Sequence, residues 1–275
     1  AQGEIYVENA ATGLWSFVET SAPDGYCVDP TPKSGYVDVT EGDREYTVAA
    51  VNYEKPNMKI TKRDAMSGKP IASTVFSVKS VTGSYSTSVT TGTDGSATLS
   101  AIPAGVYVVR EESVPEPYVL SHTEQTVALR PGKTSEVRFQ DYQKPGLEIL
   151  KKNIATGEPI EGVTYLIEQI DGSYSTSATT DSAGRIFLDS IPVGSYRITE
   201  KNVPSNVILS EIPQEVYLEA GCTRTVTFFN AVKPFLTILK RNSVTGDPLS
   251  NAKFHIYYGS DNTTTGEIND LGVFT

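Results

Sequence analysis

Three lysines recur with an 89-residue period, each closing a short apolar run: Met58 and Ile60 before Lys62, Leu147 and Ile149 before Lys151, Leu236 and Ile238 before Lys240. Side chains alternate between the faces of a strand, so each lysine points the same way as the apolar residues two and four positions earlier. An amine in a core is costly unless it is neutralised, paired or chemically consumed. The same alternation places a carboxylate on an apolar face in Glu111 (with Tyr107 and Val109), Glu200 (with Tyr196 and Ile198) and Glu19 (with Trp15 and Phe17). It also places an Asx there: Asp141, Asn230 and Asn52, again 89 residues apart. Burial favours the neutral amine and the neutral acid, and a neutral amine is a nucleophile. A lysine beside the Asx carbonyl can attack it while the glutamate moves protons and polarises the carbonyl, leaving a side-chain amide. Loss of ammonia from Asn, or of water from a protonated Asp, makes the step one-way, and the product carries no buried charge.

The elements that must hold these groups are short strands. Abundant Thr and Val, 15 Tyr, 22 Gly and 16 Pro, with no long helical pattern, give an all-β reading in which strands are joined by tight turns. The repeat divides the chain into a complete unit at 58–142, a second at 147–231, and two partial ones. Both full units carry Gly-Ser-Tyr-Ser-Thr-Ser, at 83–88 and 172–177, and an Ile-Pro-x-Gly-x-Tyr turn, at 102–107 and 191–196. Lys-Pro linkers recur at 55, 144 and 233 and are stiffened by proline. Residues 1–53 are expected to form the second half of a unit, with strands at 13–19 and 45–52, and residues 235–275 the first half of another. The second piece stops at Asp270–Phe274, which matches Asp181–Phe187, and the first begins on Gly3–Val7, which matches Gly184–Leu188.

A net charge of −10 argues against nucleic acid and against an anionic membrane, both of which call for a basic patch. Cys27 and Cys222 occupy non-equivalent places, so no disulfide framework is expected. No signal peptide and no bilayer-crossing run is visible, and Ala1 in place of Met fits a processed or excised piece.

In its motifs the chain resembles the collagen-adhesin B-type domains, also called SpaA-like or prealbumin-like domains, of Gram-positive surface proteins and pilins. The matching residues are the lysine of Leu-x-Ile-x-Lys151, Thr-Gly-x-Pro-Ile/Leu at 156–160 and 245–249, Gly-x-Tyr-x-x-x-Glu at 194–200, and Ala-Pro-Asp-Gly-Tyr at 22–26. The likeness covers nearly the whole chain. It implies tandem immunoglobulin-like or transthyretin-like β-sandwiches in an elongated rod, closed by self-formed isopeptide bonds: Lys62 to Asp141 with Glu111 assisting, and Lys151 to Asn230 with Glu200 assisting. Asp141 departs from the commoner Asn, and Ser113–Tyr118 and Asn202–Asn206 depart from the Pro-x-Gly-Tyr form kept at Pro23–Tyr26.

Lys240 has no downstream counterpart of Glu111 and Asp141, and Glu19 and Asn52 have no upstream counterpart of Lys62. Two readings are open. In one, Lys240 of one copy bonds Asn52 of the next, giving a head-to-tail fibre; in the other, the chain is one period of a longer tandem array. Function follows as a stalk or fibre segment outside the cell, at the surface, with other copies of itself as partners. The alternative is an adhesin in which exposed Tyr85 and Tyr174 meet a host protein or glycan. An enzyme is not expected: His122 and His255 lack nucleophile or metal partners, and Cys27 reads as a bystander. Asp94, Asp181 and Asp270 read as hairpin chemistry rather than a calcium site, so neither metal nor cofactor is expected.

Overall fold

The computed structural model describes residues 3–8, 10–37, 48–258 and 262–267. Among them every regular element is a strand. The first full unit contains β3 (Asn57–Asp64), β4 (Val75–Ser80), β5 (Ser86–Thr90), β6 (Ser96–Leu99), β7 (Gly105–Ser113), β8 (Glu124–Leu129) and β9 (Thr134–Asp141). They are preceded by β1 (Gly13–Phe17) and β2 (Lys33–Val37). The second unit repeats the set as β10 (Gly146–Asn153), β11 (Thr164–Gln169), β12 (Ser175–Thr179), β13 (Arg185–Leu188), β14 (Gly194–Asn202), β15 (Gln214–Leu218) and β16 (Thr223–Asn230). β17 (Lys253–Tyr258) and β18 (Asn262–Glu267) form a hairpin beyond it.

Each full unit is a sandwich of a three-stranded and a four-stranded sheet, ordered β6-β3-β9 and β5-β4-β7-β8 in the first and β13-β10-β16 and β12-β11-β14-β15 in the second. The inner faces follow the two-residue period. On β3 the buried residues are Met58, Ile60, Lys62 and Asp64, and the exposed ones fall between them. Met58, Ile60, Phe76, Val78, Tyr107, Val109, Val137 and Phe139 meet in one core; Leu147, Ile149, Tyr165, Ile167, Tyr196, Ile198, Val226 and Phe228 meet in the other. Fully burying one such side chain contributes about 1.5–3 kcal/mol, so these cores supply the bulk of the folding free energy.

The pairing that matters most joins the first strand of each unit to its last, in parallel: β3 with β9, placing Lys62 opposite Phe139, and β10 with β16, placing Lys151 opposite Phe228. Parallel neighbours cannot be joined by a hairpin. The rest of each unit is the connection between them.

The linkers are tied on both sides. Gln143 pairs with Tyr118 of the unit it leaves, and its carbonyl accepts from Gly221 N of the unit that follows. Glu54 does the same between Tyr26 and Gly132 N. Gly221 has φ +76°, and a Cβ there would stand 2.7 Å from the Tyr142 ring, so only glycine lets the linker tyrosine lie over the hairpin.

The flanking pieces depart from their expected strands. β1 lies inside the predicted 13–19 segment, but residues 48–52 and 236–240 are not strands, and neither is the described stretch 4–7. The remainder of the predicted 45–52 strand, and Asp270–Phe274, fall outside the described residues. No described strand covers these segments. An isolated edge lacks both the ladder bonds and the opposing sheet that give a strand its stability.

Candidate functional site

Each full unit assembles its site from three strands. The lysine comes from the first strand and the Asx from the last, two residues beyond the lysine's parallel neighbour; the glutamate comes from the opposing sheet, on β7 or β14. The buried glycine of an otherwise exposed turn fixes the lysine backbone. Lys62 N donates to Gly95 O and Lys151 N to Gly184 O, both at 2.7 Å, and Ile71 N and Ile160 N donate back to the two lysine carbonyls. Gly95 and Gly184 have positive φ, and a Cβ on either would collide with the lysine carbonyl. Glycine at these turns is therefore a requirement of the site as well as of the hairpin. Asp94 accepts from Ser96 N, and Asp181 from Ala183 and Arg185 N. The described residues hold no cluster of potential metal ligands.

In the second unit Lys151 Nζ donates to Glu200 Oε2 at 2.6 Å, and Asn230 Nδ2 donates to Glu200 Oε1 at 2.5 Å. One carboxylate thus bridges the amine and the amide nitrogen. Ser210 N donates to Oε1 at 3.1 Å and the Tyr165 hydroxyl to Oε2 at 3.1 Å. The Lys151 and Glu200 side chains are fully buried. Burial lowers the Lys151 pKa towards the neutral amine, and the Glu200 carboxylate opposes the shift. The amine also lies 5.9 Å and 5.8 Å from the ring centroids of Tyr165 and Phe228.

In the first unit Lys62 Nζ stands 2.6 Å from Glu111 Oε1 and 2.5 Å from Asp141 Oδ1, all three side chains fully buried. The amine thus pairs with both carboxylates, and Asp141 Oδ2 is buried with no hydrogen-bond partner. Ser121 N supports Glu111 Oε2 at 3.1 Å. The Glu111 pKa is raised, first by burial and then by the Asp141 charge, against the pull of Lys62. Two carboxyls facing one amine leave room for a shared proton.

Asp64 is the buried neighbour that sequence reasoning did not single out. Burial would raise its pKa, but bonds from Ser67, Tyr118 and Met66 hold it down at about 2 against an ordinary 3.8, and Gln143 Nε2 adds a 3.0 Å contact. A depressed carboxylate stabilises above its unfolded pKa, and that stability is lost as pH falls through its folded one. The first unit should therefore weaken as pH drops from 4 towards 2, and Asp64→Asn should flatten that part of the profile in thermal melts.

The partial site is half assembled. Asn52 Nδ2 donates to Glu19 Oε1 at 2.6 Å, and Asp29 N donates to Glu19 Oε2 at 2.7 Å; these donors correspond to Asn230 and Ser210 but sit on opposite oxygens, whereas those two share Glu200 Oε1. Lys240 is exposed, contrary to its expected place on an apolar face, because no described strand closes over it. Tyr85 and Tyr174 also differ from expectation. They are half-buried and pack edge-on against Tyr107 and Tyr196 at 5.8 Å and 5.9 Å, so their rings belong to the cores rather than to exposed loops. His122 is exposed, and Cys27 and Cys222 are free thiols.

A family model for the SpaA prealbumin-like fold domain matches residues 56–143 and again 145–232. The chain belongs to the SpaA prealbumin-like family. Solved structures similar to it include the Bacillus anthracis TIE protein, 25% identical over 81% of this chain and 43% of that one, with a TM-score of 0.39. A minor pilin of Streptococcus agalactiae is 17% identical over 68% and 100% of the two chains, with a TM-score of 0.39. The shaft pilin SpaA of Lactobacillus rhamnosus GG is 16% identical over 66% and 99%, with a TM-score of 0.40. The chain spans less than half of the TIE protein. A comparison with curated proteins finds no match. The two full units are thus tandem SpaA prealbumin-like domains.

Proposed function

We propose that this chain is a stalk or fibre segment of a Gram-positive surface protein or pilus, extracellular and rod-like, whose SpaA units close themselves with Lys–Asx isopeptide bonds. The observation that carries the reading is the Glu200 carboxylate, 2.6 Å from the Lys151 amine and 2.5 Å from the Asn230 amide nitrogen. Glu200 takes a proton from Lys151 through Oε2. The neutral amine attacks Asn230 Cγ, the new N–C bond forms, and the Cγ–Nδ2 bond breaks as Glu200 passes that proton to the departing nitrogen and then takes the second proton from the attacking nitrogen, ending protonated. Ammonia leaves, and no redox change occurs. In the first unit Lys62 attacks Asp141 Cγ, Glu111 relays the two protons that the lysine sheds to the departing oxygen, and the leaving group is water. Each bond ties the first strand to the last, so force entering at one end of a unit passes to the other without unzipping the strands between. Digestion and fragmentation mass spectrometry should recover branched peptides joining Lys62 to Asp141 and Lys151 to Asn230; linear peptides alone would remove the reading.

Glu19 and Asn52, already in contact without a lysine, favour a second reading at the flanks. Residues 1–53 and 235–275 act as complementary halves of a SpaA unit, with Lys240 of one copy joined to Asn52 of another and other pilin-like subunits as the partners. A boiled gel should then show a ladder of multimers; a single monomer band leaves the tandem-array reading in its place. A host protein or glycan contact, as in an adhesin, has lost the exposed tyrosines that suggested it.

A further inference from the structure

The two full units are not chemically equivalent, and the difference lies beside the reacting groups. Tyr165 and Phe76 occupy the same place in the repeat, each directly opposite the glutamate across the antiparallel pair: Tyr165 faces Glu200, and Phe76 faces Glu111. Both rings pack on the partner phenylalanine of the last strand at 4.8 Å, Tyr165 on Phe228 and Phe76 on Phe139. Only the hydroxyl distinguishes them. It is buried, and it donates to the same Glu200 oxygen that receives the Lys151 amine.

The acceptors differ in step. Asp141 approaches the Lys62 amine directly, at 2.5 Å from Oδ1. Asn230 is tied to its glutamate through the amide nitrogen, which is the atom that must leave. A carboxylate that serves both nitrogens has to keep one oxygen on each, and Glu200 is held at both ends, Oε1 by Ser210 N and Oε2 by the tyrosine. Glu111 has only the amide of Ser121. We propose that Tyr165 is a positioning residue for the Lys151–Asn230 condensation, holding Glu200 across amine and leaving nitrogen, and that the Asp141 site does without it and so carries Phe76. Resting on the isopeptide reading, this adds that the two sites form their bonds by differently supported proton transfers.

The test follows bond formation in the whole chain, made by cell-free synthesis, quenched into denaturant at intervals and weighed intact. Loss of water reports the first unit and loss of ammonia the second, so each molecule carries its own control for folding. Tyr165→Phe should fold, since the first unit is built on phenylalanine at that position. It should lose ammonia about 10-fold more slowly, on the scale of one charge-assisted hydrogen bond, with water loss unchanged. Adding Asn230→Asp to Tyr165→Phe should restore the rate, now with loss of water, by recreating the first site in the second unit. Ammonia loss at the original rate overturns the proposal, as does a slow variant that Asn230→Asp does not rescue. An unaltered chain that loses no ammonia removes the bond itself and is told apart by that result alone.

Discussion

Glu200→Ala is expected to keep the ammonia, and Glu111→Ala the water, that the unaltered protein sheds, each measured against the variant's own uncondensed sequence mass when it is weighed intact under denaturing conditions. The size of the effect follows from the role. A positioned acid–base group accelerates such a step about 10²–10⁴-fold, and here it also holds the nucleophile, with Lys151 Nζ 2.6 Å from Glu200 and Lys62 Nζ 2.6 Å from Glu111. Without it no group stands ready to carry protons from the attacking to the leaving atom, and the Asx carbonyl is not polarised. The two variants should act independently, because each site lies within its own sandwich and shares no side chain with the other. A Glu200→Ala chain that sheds ammonia as completely as the unaltered protein would remove the glutamate from the mechanism.

The second large effect is on stability. A link between residues about 80 apart lowers the entropy of the unfolded unit by an amount worth about 4–5 kcal/mol, and in a domain of this size each kcal/mol moves the melting point by about 4–8 °C. Asn230→Ala, which removes the bond but leaves Lys151 on Glu200, should therefore lower the melting temperature of the second unit by roughly 20–40 °C on these scales. Lys151→Ala should fall further, because removing one partner of a buried ion pair costs about 3–5 kcal/mol more. Calorimetry would resolve the order, with the first unit as the unchanged transition. An Asn230→Ala chain melting within a few degrees of the unaltered one would show that no link contributes.

Much of this was legible before any coordinates. The 89-residue period and the two-residue alternation suffice to put Lys62, Lys151, Glu111, Glu200, Asp141 and Asn230 on inner faces, because a strand's side-chain period is two whatever surrounds it. All six are buried. The same reasoning failed for Lys240, since periodicity says which face a residue shares but not whether anything covers that face. It failed for Tyr85 and Tyr174 for a related reason. They precede their strands in turn-like Gly-Ser-Tyr sequences, and only the fold shows their rings lying against Tyr107 and Tyr196.

What the sequence by itself determined was local and periodic: strand faces, turns, the repeat and the residue types gathered on each apolar side. Tertiary structure alone decided the rest. The parallel pairing of first and last strands brings lysine and Asx together across nearly the whole length of a unit. The opposing sheet sets the glutamate between them, and the cross-strand register puts a hydroxyl on Glu200 and none on Glu111. These depend on distances between segments far apart in the chain, which local propensity does not encode and only the packing of the two sheets can specify.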